Sequence, residues 1–399
     1  ARAPVEPPLL SAHMAYPLEN LRILDLSRVL AGPFAGRMFA DLGADVVKLE
    51  PPDGDVTRLW GANIGGNPGY YHQQNAGKRN ISINLSDPSG SELVKLLAAK
   101  ADVVIENFRP GVADRLGVGY AALSAANPRL VMLSISGFGQ HGPESQRAAF
   151  APVIHAEAGI IDRQARNTKS GELVDIAFSA SDTHAGLHGM VAVLSALWMR
   201  ERTGLGQHID IAMIDATLST DDFLHYAIED AWQTRVLQSE VWDAPGGPIL
   251  ISADFRLIWI EFSRKFGLKD PSLPGASVAE KSESRHRVVQ DHIQSLPDRA
   301  ALTAILDGFN IAWGNVRRSE DVPHNQLTVQ HRGSIVDVND RAGGTRPIVQ
   351  SPYRFSAAQS GVRGPAPWKG EHNAEVLAEW LGLDEAGRQR WVGVLVSYR

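Results

Sequence analysis

The 399-residue sequence contains no cysteine. That absence excludes a disulfide framework, a thiolate zinc site, a cysteine-ligated iron–sulfur cluster and a cysteine nucleophile. It fits a reducing compartment, so a cytoplasmic location is expected. Long hydrophobic runs are also missing. The longest apolar stretches, such as Met190 to Leu197, fall far short of a membrane span. There is no excess of positive charge either. A formal net charge of -6 argues against a dedicated nucleic-acid binder, so an anionic ligand would need a local basic cluster. The first residues lack a basic region followed by an apolar core, so no signal peptide is expected in them. Residues 1–13, rich in Pro and Ala and ending at His13-Met14, read as a vector-derived or disordered extension.

What is present is ordinary globular material, with 44% hydrophobic and 21% charged residues. The length suggests two or three domains, or one large domain with an insertion. Arg22 to Leu26 is a short apolar run followed by a Gly/Pro break at Ala31-Gly-Pro33, and Phe34 to Leu42 reads as a helix. Asp45 to Glu50, Asn80 to Leu85, Val103 to Glu106 and Leu130 to Ser136 read as further strands. Helical segments alternate with them at Ser89 to Ala99 and Ala121 to Ala126. Strand–helix–strand repetition makes a doubly wound parallel sheet the expected fold of this part. Ser181-Asp182 precede a long helix, Thr183 to Arg202, stopped at Thr203-Gly204. His208 to Ile211 is another strand, with a helix from Asp215 onward.

The pattern changes near Gln233. Pro245-Gly-Gly-Pro248 breaks it, Ile249 to Phe262 is apolar and aromatic, and Asp270 to Arg287 reads as a polar loop. Helical signals return at Arg287 to Ser295 and Arg299 to Phe309, and again at Asn373 to Leu381. The expected organisation is a large α/β domain over 14–232, a smaller α+β domain over 233–325, and a return to the large domain over 326–399.

Several motifs do not carry function on their own. Gly137-Phe-Gly-Gln-His-Gly142 fits GxGxxG after a strand, but Pro143 follows where a dinucleotide fingerprint needs a helix. A glycine-rich active-site or turn loop is the better reading. Gly77-Lys78 is followed by Arg79 and lacks the upstream glycine of a P-loop, and no GxSxG elbow occurs. His184 and His188 share a helix face at a metal-compatible spacing, yet no third ligand is evident, so no metal site is expected.

Leu24-Asp-Leu-Ser-Arg-Val-Leu-Ala-Gly-Pro33, Leu42-Gly-Ala-Asp-Val-Val-Lys-Leu-Glu-Pro51 and Gly54-Asp-Val-Thr-Arg58 resemble the opening of the class III CoA-transferases. This family, of CaiB/BaiF type, includes formyl-CoA:oxalate CoA-transferase, the carnitine CoA-transferases and α-methylacyl-CoA racemase. Asn75-Ala-Gly-Lys-Arg-Asn80, Glu106-Asn-Phe-Arg-Pro-Gly111 and Arg200-Glu-Arg-Thr-Gly-Leu-Gly-Gln207 resemble three more of its segments, and Gln350-Ser-Pro-Tyr-Arg-Phe355 a fourth. The resemblance spans Leu21 to Leu381, with the motifs in family order.

The resemblance implies a Rossmann-like large domain, an inserted small domain and an interlocked homodimer. It implies an aspartate nucleophile, which falls on Asp182. From the residues alone, Asp182 stands where a helix N-cap belongs. A helix start also stabilises a carboxylate, so the two roles are compatible. The implied cycle forms an aspartyl-CoA thioester through mixed anhydrides. Backbone N–H groups of Gly137 and Gly139 are candidates for holding the oxyanions. Arg28, Arg58, Lys78, Arg79, Asn107, Phe108, Arg109 and Arg115 match or adjoin family positions around the nucleotide of CoA. Acyl-CoA enters as a substrate, and no tightly bound cofactor is implied.

Leu30 stands where the oxalate branch has a glutamine, and His188 follows Asp182 by six residues as in the transferases. His155 and Glu157 are polar in an apolar stretch and are candidates for facing the substrate, or else satisfied buried groups. Phe150-Ala151 replaces the racemase His-Asp pair, and Ala151 also replaces the acid of the oxalate enzymes. The leading expectation is CoA transfer between an acyl-CoA and a carboxylic acid, a dicarboxylate or an intramolecular transfer of the mesaconyl-CoA C1–C4 type included. A racemase or isomerase using Asp182 as acid/base, or a non-catalytic CoA-binding relative, stays open.

Overall fold

The computed structural model describes residues 15–167, 171–229 and 239–396. The extension expected over residues 1–13 and the domain boundary expected at 232/233 lie outside the described residues. The chain divides into two compact units. Residues 1–222 and 331–399 form the larger, and Phe223–Gln330 the smaller.

The larger unit is built on one sheet. Its strands are β1 (Arg22–Asp25), β2 (Asp45–Glu50), β3 (Arg79–Ser82), β4 (Val103–Glu106), β5 (Val131–Ser136) and β6 (His208–Ala212). They lie in the order β3-β2-β1-β4-β5-β6, and every pairing is parallel. A parallel sheet is covered on both faces, which is why β4 and β5 are mostly apolar and are buried along their whole length.

One face packs against helices α2 (Pro88–Ala98) and α3 (Tyr120–Ala126) and against α10 (Asn373–Leu381) from the far end of the chain. The opposite face is covered by α1 (Ala31–Asp41), α4 (Ala151–Glu157), α5 (Ala180–Thr203) and α6 (Met213–Thr220).

Two helix starts differ from the sequence expectation. α1 begins at Ala31, three residues before Phe34, because Pro33 falls in its first turn, where a missing N–H costs nothing. α5 begins at Ala180, so Asp182 lies inside its first turn and is not the N-cap. The end of α5 is as expected. Gly204 takes φ +74 and its N–H donates to the Arg200 carbonyl at 2.8 Å.

In the smaller unit, β7 (Ser239–Trp242), β8 (Ile249–Ser252) and β9 (Ala312–Asn315) form an antiparallel sheet with β8 central. The apolar stretch Ile249 to Phe262 splits at Asp254, whose carboxylate accepts the Arg256 N–H at 2.7 Å and starts α7 (Phe255–Phe266). The polar stretch read as a loop is largely helical. α8 (Val278–Gln294) opens with a capping box between Ser277 and Glu280. Its apolar residues Val289 and Ile293 join Trp242, Ile251, Phe262 and Leu306 of α9 (Arg299–Gly308) in a core of the unit's own.

Candidate active site

The strand order reverses between β1 and β4, and ligands of open α/β sheets bind beyond the carboxyl ends of strands at such a point. β1 runs out into Ser27-Arg28-Val29, and β4 into Asn107-Phe108-Arg109. The two loops are tied together. The Arg28 N–H donates to Asn107 Oδ1 at 2.7 Å, and Asn107 Nδ2 donates to the Arg28 carbonyl at 2.8 Å. Between them Val29 takes φ +68, a left-handed conformation that a β-branched residue adopts at a cost of about 1–3 kcal/mol. Its N–H is held by Asp55 Oδ2 at 3.2 Å.

A cavity of about 180 Å³ opens at this junction, and Asp182 lies in its wall with Arg28, Asn107, Phe108, Arg109 and Gly137. The backbone N–H groups of Ala31 and Ala151 lie beside the Asp182 carboxylate and favour its anion. Ala31 is the first residue of α1 and Ala151 the first of α4. Three helix N-termini, that of α5 included, therefore converge on one carboxylate. Spare N–H groups and the positive end of the helix dipole favour its anion. Burial outweighs them and lifts its pKa to about 6. At neutral pH Asp182 is mostly ionised, poorly solvated and held by donors, the state a carboxylate nucleophile requires.

The helix start is braced from outside. The buried His155 accepts the Ser181 N–H at Nε2 (3.3 Å), and its Nδ1 lies 2.8 Å from Asp175 Oδ1. With Nε2 accepting, the ring proton belongs on Nδ1, donated to Asp175. His155 thus holds the first turn of α5 and does not line the cavity. Half-buried Tyr70 is also close enough to feel Asp182. Burial, then the fields of Asp182 and Asp55, raise its pKa to about 12.

The expected CoA-contacting cations separate into two groups. Arg28 and Arg109 reach the cavity, and neither guanidinium has an ion-pair partner among the described residues. Arg115 is exposed on the short helix after Gly111. The other three are engaged in the scaffold. Lys78 is fully buried, and its ammonium donates to Asp25 (2.8 Å), the Pro33 carbonyl (2.8 Å) and Asn75 (3.0 Å). Arg58 pairs with Glu50 at 2.7 Å and stacks on Tyr71. Arg79 bridges Asp45, Glu375 and Glu379, tying β2 and β3 to α10. In these positions their charge has a partner before any phosphate arrives.

Of the two glycines, Gly137 lines the cavity and leaves no room for a side chain, since a Cβ would stand 2.4 Å from that of Ala149. Gly139 is turned toward β6, where the next N–H, of Gln140, donates to Asp210 at 2.9 Å. Leu30 is buried ahead of α1 and lies behind Val29 and Ala31, which line the cavity in its place. Glu157 is ion-paired with Arg147, a cavity residue that also pairs with Glu144 at 2.9 Å and lies over the Phe138 ring. His184 and His188 face the Thr220 and Ser219 hydroxyls at 2.9 and 3.3 Å. Among the described residues no group of three or more His, Asp or Glu could hold a metal ion.

Sequence reasoning missed Val29, Tyr70, Arg147, Asp175 and the two donors at Ala31 and Ala151. One signal was available: Pro152 at a first-turn position marks a helix start at Ala151 and hence a free N–H. The Asp175–His155 contact spans twenty residues and has no local pattern.

α1 and α5 approach so closely that a Cβ on Gly186 would lie 2.8 Å from the Ala31 carbonyl and 2.9 Å from the Phe34 ring. Gly186→Ala is expected to push α1, and with it the Ala31 N–H, away from Asp182. The expected outcome is a loss of about 1–3 kcal/mol in stability with a larger fractional loss of turnover, read from a denaturant melt and a steady-state assay. Unchanged turnover per folded molecule would show that the Ala31 contact is dispensable.

The sequence matches the model of CoA-transferase family III over residues 18–373. Succinate–glutarate CoA-transferase of Agrobacterium fabrum is 32% identical over 91% of this chain and 95% of its own. The beta subunit of succinyl-CoA–L-malate CoA-transferase of Chloroflexus aurantiacus is 38% identical over 92% of this chain and 95% of its own. Among solved structures, a CaiB/BaiF family protein from Brucella suis superposes with a TM-score of 0.78 at 30% identity, covering 92% of this chain and all of that one.

Proposed function

The chain belongs to CoA-transferase family III, and from that premise we propose that it moves CoA from an acyl-CoA to a dicarboxylic acid through a thioester on Asp182. The class of activity, CoA transfer, comes with the family. The carrying observation for the mechanism is the Asp182 carboxylate itself, ionised and buried where three helix N-termini meet a cavity with two guanidiniums that have no ion-pair partner among the described residues.

The steps balance as follows. The Asp182 carboxylate attacks the thioester carbonyl and expels CoA thiolate, leaving a mixed anhydride. The thiolate attacks the aspartyl carbonyl, releases the first acid as its carboxylate and leaves aspartyl-CoA. The acceptor carboxylate attacks that thioester and again frees the thiolate. The thiolate then attacks the acceptor's carbonyl, giving the new acyl-CoA and regenerating Asp182. In this cycle the Ala31 and Ala151 N–H groups, already directed at the carboxylate oxygens, are donors for charge on the aspartyl oxygen, with the Gly137 backbone beside them. Arg28 and Arg109 suit the phosphates of CoA through bidentate contacts. Arg147 suits the distal carboxylate of a diacid, which would replace Glu157 as its partner. The relatives named above act on succinate, glutarate and malate, which supports a diacid here.

Arg147→Gln is expected to raise KM for a diacid acceptor about tenfold or more with a smaller change in kcat, and to leave KM for acyl-CoA unchanged. Initial rates against varied acceptor and varied donor separate the two. Transfer as a whole is tested by incubating the protein with succinyl-CoA and a panel of mono- and dicarboxylates, reading new CoA thioesters by mass spectrometry. Formation of a diacid thioester supports the reading. Deuterium uptake at the α-carbon with no CoA exchange would point to an isomerase.

A homodimer is also proposed. Leu187, Val191 and Trp198 recur along one face of α5 and are 41%, 61% and 70% exposed, a stripe that a second copy would cover.

A further inference from the structure

We infer that the smaller unit carries an oxyanion site of its own, beside the turn before β8, that takes a doubly charged phosphate or dicarboxylate. A cavity of about 340 Å³ lies there, within the range of small-ligand sites. Three guanidiniums line it, from Arg299, Arg317 and Arg318, against one carboxylate, that of Asp321.

Arg299 is the informative member. It opens α9 directly after the N-cap Asp298. One end of its guanidinium is fixed, because Nη2 donates to the Gly247 carbonyl and, at 3.4 Å, to that of Pro248. The other nitrogen, Nη1, is buried and has no hydrogen-bond partner among the described residues. A buried guanidinium N–H left unpaired costs on the order of 1–3 kcal/mol or more, and native proteins satisfy such a group with protein, water or an ion. Among the described residues nothing fills that role.

The neighbouring charges are also available. β9 ends at Asn315, paired with Ile249 of β8, so Arg317 and Arg318 follow beside the turn. Arg317 is exposed with no ion-pair partner among the described residues. Among the described residues Arg318 pairs only with Glu320, and both side chains are well exposed, so the pair is weak and readily exchanged for a ligand. Asn315 and Asn325 add amide donors at the wall. A fixed planar fork with a spare donor, flanked by two more guanidiniums, is the arrangement that recognises phosphate and carboxylate oxygens. None of these residues belongs to the Asp182 cavity, so the site stands whether or not Asp182 carries CoA.

The test is calorimetric titration of the full chain with inorganic phosphate, adenosine 3′,5′-bisphosphate and succinate. Each probe is titrated into the wild type, Arg317→Gln, and an Arg28→Gln/Arg109→Gln double variant that removes the cations near Asp182. Binding of at least one probe is expected to persist in the double variant and to weaken about tenfold or more in Arg317→Gln. Phosphate-bearing probes alone binding would identify a nucleotide phosphate as the source, and succinate alone a diacid; either supports the site. Arg299 also holds the turn, so its variant could fail to fold, whereas Arg317 is exposed and its substitution leaves the fold intact. No binding in the double variant, or equal affinity in Arg317→Gln, overturns the proposal.

Discussion

Asp182→Asn is expected to abolish CoA transfer and at the same time make the protein more stable. Turnover should fall by about three orders of magnitude or more, because an amide cannot attack a thioester or carry CoA. The stability gain follows from burial. An aspartate with a folded-state pKa of about 6, against 3.8 in the unfolded chain, binds more protons folded than unfolded across that interval. Its ionisation therefore opposes folding progressively as pH rises from about 4 to 6 and by a constant amount above. A shift of that size corresponds to about 3 kcal/mol at pH 7. Asn carries no charge but accepts with a single oxygen where the carboxylate offers two, so the net gain should be nearer 1–2 kcal/mol. Denaturant melts of both proteins at pH 4 and pH 7 check this. The advantage of the variant should be small at pH 4 and full at pH 7. A variant less stable at pH 7 would mean that the converging N–H groups outweigh desolvation.

Lys78→Met should do the opposite, destabilising the fold strongly while sparing CoA affinity in whatever remains folded. Lys78 looks from sequence like a phosphate ligand, but its ammonium is enclosed with Asp25 at the end of β1, immediately under the cavity loops. Removing it leaves the Asp25 carboxylate buried with Ser27 as a neutral partner and Lys48 as the nearest remaining cation. Loss of one member of such a pair costs about 3–5 kcal/mol. That predicts a fall in Tm on the order of 10 °C, against a change of less than about twofold in KM for acyl-CoA measured well below the transition. A raised KM without a stability loss would return Lys78 to the substrate.

These two residues show how far the sequence could be read. The sheet was legible because its central strands β4 and β5 are mostly apolar segments between turn residues, and strand–helix alternation dictates parallel pairing. Asp182 was legible as the start of a helix and, through the family motifs, as a candidate nucleophile. The function of its surroundings was not. Whether Lys78, Arg58 or Arg79 faces a ligand or an internal carboxylate depends on residues up to 300 positions away, such as Glu379 beside Arg79. The same holds for Arg147, which is an unremarkable charge in sequence and a cavity wall in three dimensions. Local signals were sometimes present and underread. The Ser277–Glu280 capping box announced a helix in a stretch that looked like a loop, and Pro152 announced the donor at Ala151.

If Asp182 becomes the carrier of CoA, the thioester it forms can be seen directly. The protein is incubated with succinyl-CoA without an acceptor, quenched in acid, digested and examined by peptide mass spectrometry. The peptide containing Asp182 is expected to gain the mass of CoA less one water, to lose it on addition of a dicarboxylate, and to show neither change in Asp182→Asn. Transfer to an acid by a protein whose Asp182 peptide never carries CoA, or turnover retained in Asp182→Asn, would contradict it.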